Sequence, residues 1–120
     1  MIKVVFCLRR RPDLTREQFF KHWNTRHAEL SLKNRKAMGW KRYVQNLTIS
    51  TAISKAANDI RGGLPEFDGV AEAWFDDLAS FERVGEASDG SAMEEMFKDE
   101  SNFIDLKNST FFLVEEHEIG

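Results

Sequence analysis

The sequence predicts an α+β domain of the ferredoxin-like plan, β-α-β followed by β-α-β, built on one four-stranded antiparallel sheet. Three observations predict it. Four segments, at 2–10, 40–49, 67–76 and 110–119, have the length and apolar alternation of strands. Two stretches between them carry apolar residues at helical spacing. The 120 residues make one domain, 1–120.

In strand one, Ile2, Val4, Phe6 and Leu8 form a wholly apolar face and Lys3, Val5, Cys7 and Arg9 a mixed one. Pro12-Asp13 signals a turn. Thr15-Arg16-Glu17-Gln18 fits a capping box, with Thr15 as the cap and Gln18 three residues on. The helix it opens puts Phe20, Trp23, His27 and Leu30 on one face and is expected to end before Gly39. Strand two follows from Trp40 to Ile49. Residues 50–66, rich in Ser, Ala, Asn and Gly, are expected to form a flexible loop. Strand three runs from Phe67 to Asp76. Helical spacing then returns from Leu78 to about Ala87 and from Ser91 to Phe103, with a kink expected near Asp99. Strand four, Thr110 to Ile119, closes the chain.

The second sheet face is expected to be apolar as well, through Val5, Cys7, Val70, Trp74, Phe111 and Leu113. An exposed patch of that extent is a liability. A homodimer is therefore expected, its two sheets packing face to face as a dimeric α+β barrel.

Composition excludes several classes. With 42% hydrophobic residues and 14 aromatics (ten Phe, three Trp, one Tyr), the chain is no disordered segment. Cys7 is the single cysteine, so an intrachain disulfide or a multi-thiolate zinc site is impossible. The run Val4–Leu8 ends at Arg9-Arg10-Arg11, too short for a signal-peptide core or a membrane span, so a cytoplasmic location and no membrane partner are expected. Residues 1–60 carry 13 Lys/Arg against 4 Asp/Glu, and residues 61–120 carry 4 against 16. These halves are expected to neutralise one another within the domain or across a dimer. The overall charge of −3 disfavours nucleic acid. An RNA-recognition sheet would need aromatics beside Lys or Arg on strand three, and Phe67–Asp76 has three acids and no base.

Chemistry-bearing residues are few. His22 and His27, five apart, diverge by about 140° on an α-helix, so no metal site is expected. His27 lies within the apolar stripe and faces inward, either as a core histidine bonded to a carbonyl or as an acid-base group. Glu72 is mid-strand, where a carboxylate needs an Arg partner, such as Arg9 or Arg42, or a wet pocket. Asp68 and Trp74 share its face. Tyr43 and Asn46 extend the polar lining, although their parity puts them on opposite faces. Trp23 and Phe20 offer apolar walls or plain core packing.

Several segments together resemble the EthD-domain family, named for ethyl tert-butyl ether degradation. They are Arg11–Phe20, Trp23 with Arg26-His27-Ala28, Arg42–Asn46 and Phe67–Asp76, with weaker echoes at Asp99-Glu100 through Phe103 and at Glu116-His117. The resemblance implies the dimeric α+β barrel, a ligand cavity between sheet and helices, and His27 as a pocket residue. It also implies a small protein acting without a cofactor.

Three functions follow as expectations. The first is a lyase or isomerase performing dehydration, decarboxylation or cyclisation on an apolar oxygenated or aromatic polyketide-like compound. His27 and Glu72 would be catalytic, with Phe20, Trp23, Tyr43, Asn46, Asp68 and Trp74 around the substrate. The second is a non-catalytic accessory protein that binds an intermediate of a degradative oxygenase pathway. The third is an oxidoreductase, either a cofactor-free monooxygenase or a haem binder.

Overall fold

The computed structural model describes residues 1–84 and 89–120. Strands β1 (Ile2–Leu8), β2 (Arg42–Leu47), β3 (Gly69–Phe75) and β4 (Thr110–Glu115) form one antiparallel sheet in the order β2-β3-β1-β4. This is the expected ferredoxin-like topology. The register aligns Val4 with Ala73 and Phe6 with Ala71, so the apolar face of β1 lies with Tyr43, Gln45, Gly69, Ala71 and Ala73. Helices cover this inner face.

Helix α1 (Arg16–His22) begins at the predicted capping box: the Gln18 amide donates to Thr15 Oγ1 at 3.1 Å, and the Thr15 amide donates to Gln18 Oε1 at 2.9 Å. Two orphan amides at the helix start are thereby satisfied. The helix then widens into a π-helical segment, Trp23–His27, before resuming as α2 (Ala28–Lys33) and the short α3 (Arg35–Met38). Gly39 ends it at φ 77°, a left-handed conformation that glycine adopts without a Cβ clash.

The core is in two parts. Leu8, Phe19, Trp23, Phe103 and Ile104 pack at one end of the sheet, and Val4, Trp40 and Phe75 at the other. Gly69 permits the first. A Cβ there would lie 2.6 Å from the Trp23 ring, so only glycine lets the indole rest on β3.

Residues 50–66 are not the loop that composition suggests. Thr51 caps helix α4 (Ala52–Ile60), accepting from the Ser54 amide at 3.1 Å, and none of the helix's residues is buried. Ile53, Ala56, Ala57 and Ile60 fall at helical spacing on one stripe, yet Ile53 and Ile60 are 83% and 84% exposed, so the stripe meets no core among the described residues.

Helix α5 (Leu78–Glu82) covers only the start of the expected Leu78–Ala87 helix, part of which lies outside the described residues. Helix α6 (Ser91–Glu100) stops at Glu100, with a turn through Ser101–Phe103 in place of the kinked continuation. Lys33 and Asn34 tie α2 to α6 through Glu95, each at 3.1 Å. Strand β4 ends at Glu115, earlier than Ile119. Among the described residues no helix is long and apolar enough to cross a membrane.

Candidate functional site

Between the two core clusters the helices do not reach the sheet. The inner positions of β3 ahead of Phe75 are Gly69, Ala71 and Ala73, too small to fill the gap, and a cavity of about 680 Å³ remains. That lies within the ~300–1,000 Å³ usual for small-molecule sites. Its walls include Phe6, Trp23, Trp40, Tyr43, Phe75 and Phe111, and Met38, Met93, Met96 and Phe97 also line it.

Among the described residues the ionisable side chains that face this space are His27, Tyr43, Glu82 and Glu100. His27 is 5% exposed, and its Nδ1 lies 2.8 Å from Oδ2 of Asp99, itself 6% exposed. His22 Nε2 approaches the other oxygen of Asp99 at 3.0 Å, and Asn102 Nδ2 donates to that oxygen at 3.3 Å. Phe103 buttresses both imidazoles, stacked on His22 at 4.8 Å and tilted against His27 at 5.1 Å.

The π segment makes this convergence possible. On a regular α-helix His22 and His27 diverge, but five residues of wider turn bring them towards one partner, and both reach Asp99. Burial and the neighbouring His22 charge hold the His27 imidazole below its ordinary value, although Asp99 opposes the shift. Burial pushes the Asp99 carboxyl up, but hydrogen bonds from His27, His22 and Asn102 outweigh it, leaving the group below its usual range. The consistent state is a neutral His27 that donates Nδ1–H to the Asp99 carboxylate and keeps its lone pair on Nε2. Among the described residues nothing hydrogen-bonds to Nε2. A ring locked at one nitrogen and open at the other is the geometry of a positioned base.

Glu100, next to Asp99 at the end of α6, is a second titratable group. Burial, and then the negative charge of Asp99, push its carboxyl up to about 7. It therefore holds a proton over part of the neutral range. Burial likewise raises the Tyr43 phenol, despite the Gln45 amide donating to its oxygen at 3.2 Å, so Tyr43 remains a donor.

The other expected site residues lie elsewhere. Ala71 and Ala73 point into the cavity, so by alternation Glu72 points to the opposite, outer face. There it pairs with Lys3 at 2.6 Å and accepts from Asn46 at 2.9 Å, and Lys3 and Asn46 hold its carboxyl below its ordinary value. Of the Arg partners considered for it, Arg42 stacks on Trp74 at 4.6 Å and lends Glu72 only its longer-range charge, and Arg9 stacks on Phe67 at 4.1 Å. Trp74 also lies on the outer face, its indole N–H donating to Glu116. Asp68 accepts from the Arg10 amide at 2.9 Å at the sheet end. Phe20 packs edge-on against Trp23 without lining the cavity. Of the residues expected around a substrate, the cavity thus gathers His27, Trp23 and Tyr43; Glu72 lines it between Ala71 and Ala73 but turns its carboxylate to Lys3 and Asn46, and Asn46, Asp68, Trp74 and Phe20 lie outside it. Asp99 and Glu100, 72 and 73 residues beyond His27, escape a reading by local spacing. Among the described residues no cluster of His, Cys, Asp or Glu is arranged to hold a metal ion.

The family model described as the EthD domain matches residues 11–107. The chain belongs to the EthD domain family. An EthD family protein of Bacillus halodurans C-125 has a similar structure, with TM-score 0.67 and 21% identity over 98% of this chain and 99% of that one. An EthD-like protein of Ralstonia eutropha JMP134 gives TM-score 0.60 at 15% identity, covering 95% and 89% of the two chains. A dimeric ferredoxin-like protein of unknown function from Bacteroides fragilis gives 0.61 at 11% identity, covering 96% and 95%. Among curated proteins none matches the sequence. The family match includes every element that builds the cavity of this EthD domain except β1 and β4.

Proposed function

We propose that this EthD domain is a small lyase or isomerase that enolises an apolar, oxygenated or aromatic compound held in the inner cavity. One observation carries the reading: His27 lines an apolar cavity with its Nδ1 fixed by Asp99, and among the described residues nothing hydrogen-bonds to its Nε2. In the step, Nε2 takes a proton from the carbon next to a substrate carbonyl. The C–H electrons form the enol double bond, and Glu100 or Tyr43 gives a proton to the carbonyl oxygen. For dehydration the electrons instead expel a β-hydroxyl, which leaves as water with the proton of Glu100. A proton returning from His27 to Glu100 through solvent restores the starting state.

Proton exchange in D2O tests this without knowledge of the product. Aryl methyl ketones incubated with the protein are expected to exchange their α-protons faster than in buffer, as read by NMR. With Glu100 as the donor, activity requires neutral His27 and protonated Glu100. The rate should therefore fall on the acid side as His27 protonates, below its ordinary 6.5, and on the alkaline side through about 7 as Glu100 ionises. In Glu100→Gln, with Tyr43 left as the donor, exchange should be slower and its alkaline limb lost. The substitution should also relieve a stability loss, because a carboxyl raised in the folded state favours folding below its unfolded value, 4.5, and loses that contribution as pH rises to about 7. No exchange by a folded protein across the panel would end the enzymatic reading in favour of the accessory binder.

The reading extends to a homodimer. Val5, Val44, Val70 and Phe112 share the outer sheet face, opposite the helices, and Phe112 is 43% exposed; Phe111 and Leu113, expected on this face, lie instead on the inner one beside Phe6 and Val4 because the register of β4 on β1 sets their parity. A second sheet would cover them, and the Bacteroides fragilis neighbour is itself described as dimeric. Light scattering should give twice 13.9 kDa. Val5→Asp, which puts a charge opposite Phe112 and beside Glu72, should dissociate the pair. A wild-type mass of one chain would remove the proposal.

A further inference from the structure

We infer that the cavity selects uncharged ketonic or phenolic aromatic ligands and rejects their carboxylate counterparts, because the ionisable side chains facing it are acidic or neutral and none is Lys or Arg. The inference rests on the cavity being the substrate site and adds the charge of what enters. No Lys or Arg lines the cavity, and residues 85–88 contain none. His27 does not substitute for a cation at pH 8, since burial holds its imidazole below the ordinary 6.5. Glu100 is faced by Asp99 on its own helix, His27 on the π segment, Tyr43 on β2 and Glu82 on α5.

A carboxylate here would lose its water against Trp23, Trp40, Phe75 and Phe111 with no counter-ion, next to Glu100. A ketone or phenol meets matched partners. Its carbonyl accepts from Glu100 or Tyr43, and a phenolic hydroxyl donates to His27 Nε2. Of the reactions in prospect, dehydration and cyclisation of neutral compounds fit this lining, and decarboxylation of a free acid does not.

The near-isosteric pair 2-acetylnaphthalene and 2-naphthoate tests the inference, titrated against the full chain by tryptophan emission, since Trp23 and Trp40 line the cavity. At pH 8 the ketone is expected to bind at least ~10-fold more tightly than the acid, which corresponds to one factor of ten in the dissociation constant. The gap should narrow several-fold at pH 6, and in Glu100→Gln it should narrow at pH 8. Naphthoate binding as tightly as the ketone at pH 8, or neither probe altering the emission, would overturn the inference. Binding is read without turnover. A chain that prefers the ketone but exchanges none of its protons therefore upholds this inference and ends the acid-base reading, whereas exchange without charge preference does the reverse.

Discussion

His27→Gln is expected to leave a folded protein whose α-proton exchange is slower by ~10²–10⁴-fold, the range lost when a positioned acid-base group is removed. Glutamine keeps an amide able to donate to Asp99 but has no basic nitrogen. Near-normal thermal stability is expected, within ~1 kcal/mol, because Asp99 keeps a donor. Asp99→Asn separates positioning from packing. An asparagine amide donates to Nδ1 and so moves the imidazole proton to Nε2, the wrong nitrogen for a base. Exchange should then fall by a factor similar to that of His27→Gln, with the fold again intact. Full exchange in folded His27→Gln would show that the imidazole only packs, a buried histidine satisfied by a carboxylate.

Phe103→Ala should be the most destabilising single core substitution at this end of the domain. Phe103 is 0% exposed, lies 5.7 Å from Phe19 between ring centroids, and supports both His22 and His27. Removing a buried phenyl costs about 3–5 kcal/mol through lost transfer energy and the void left behind. That is a large share of the ~5–15 kcal/mol typical of a domain. Calorimetry should show a fall in Tm of roughly 10–20 °C at this size. The two imidazoles would lose their common support, so exchange should drop even below the melting transition. Phe103→Leu keeps most of the volume and should cost less than about 1.5 kcal/mol. A small Tm change in Phe103→Ala would mean that the site collapses around the deletion.

Features set by near neighbours were legible in the sequence. The capping box at Thr15, the stop at Gly39 and the alternation of β1 each depend on residues within a turn or two, where propensity and periodicity act directly. Helix α4 was missed although it is local: the Thr51 cap and the stripe Ile53, Ala56, Ala57 and Ile60 mark it in line, but the Ser, Asn and Gly content around them reads as loop.

Site residues divided along the same line. The inward direction of His27 follows from the Phe20–Leu30 spacing, and the common face of Glu72, Asp68 and Trp74 from strand parity. Parity does not say which face meets the helices. That was settled by the register of β1 on β3, which sets the apolar face of β1 beside Ala71 and Ala73 and turns Glu72 to the other side.

By itself, then, the sequence determined the order of elements, the ferredoxin-like plan, the family and an inward His27, all encoded by contacts between residues close in the chain or by motifs read in line. Only the tertiary structure decided that His27 has Asp99 for a partner and Glu100 for a neighbour on the cavity. Those residues are joined by chain packing across more than 70 positions, through a π turn that re-aims two histidines, and no local periodicity encodes such a meeting.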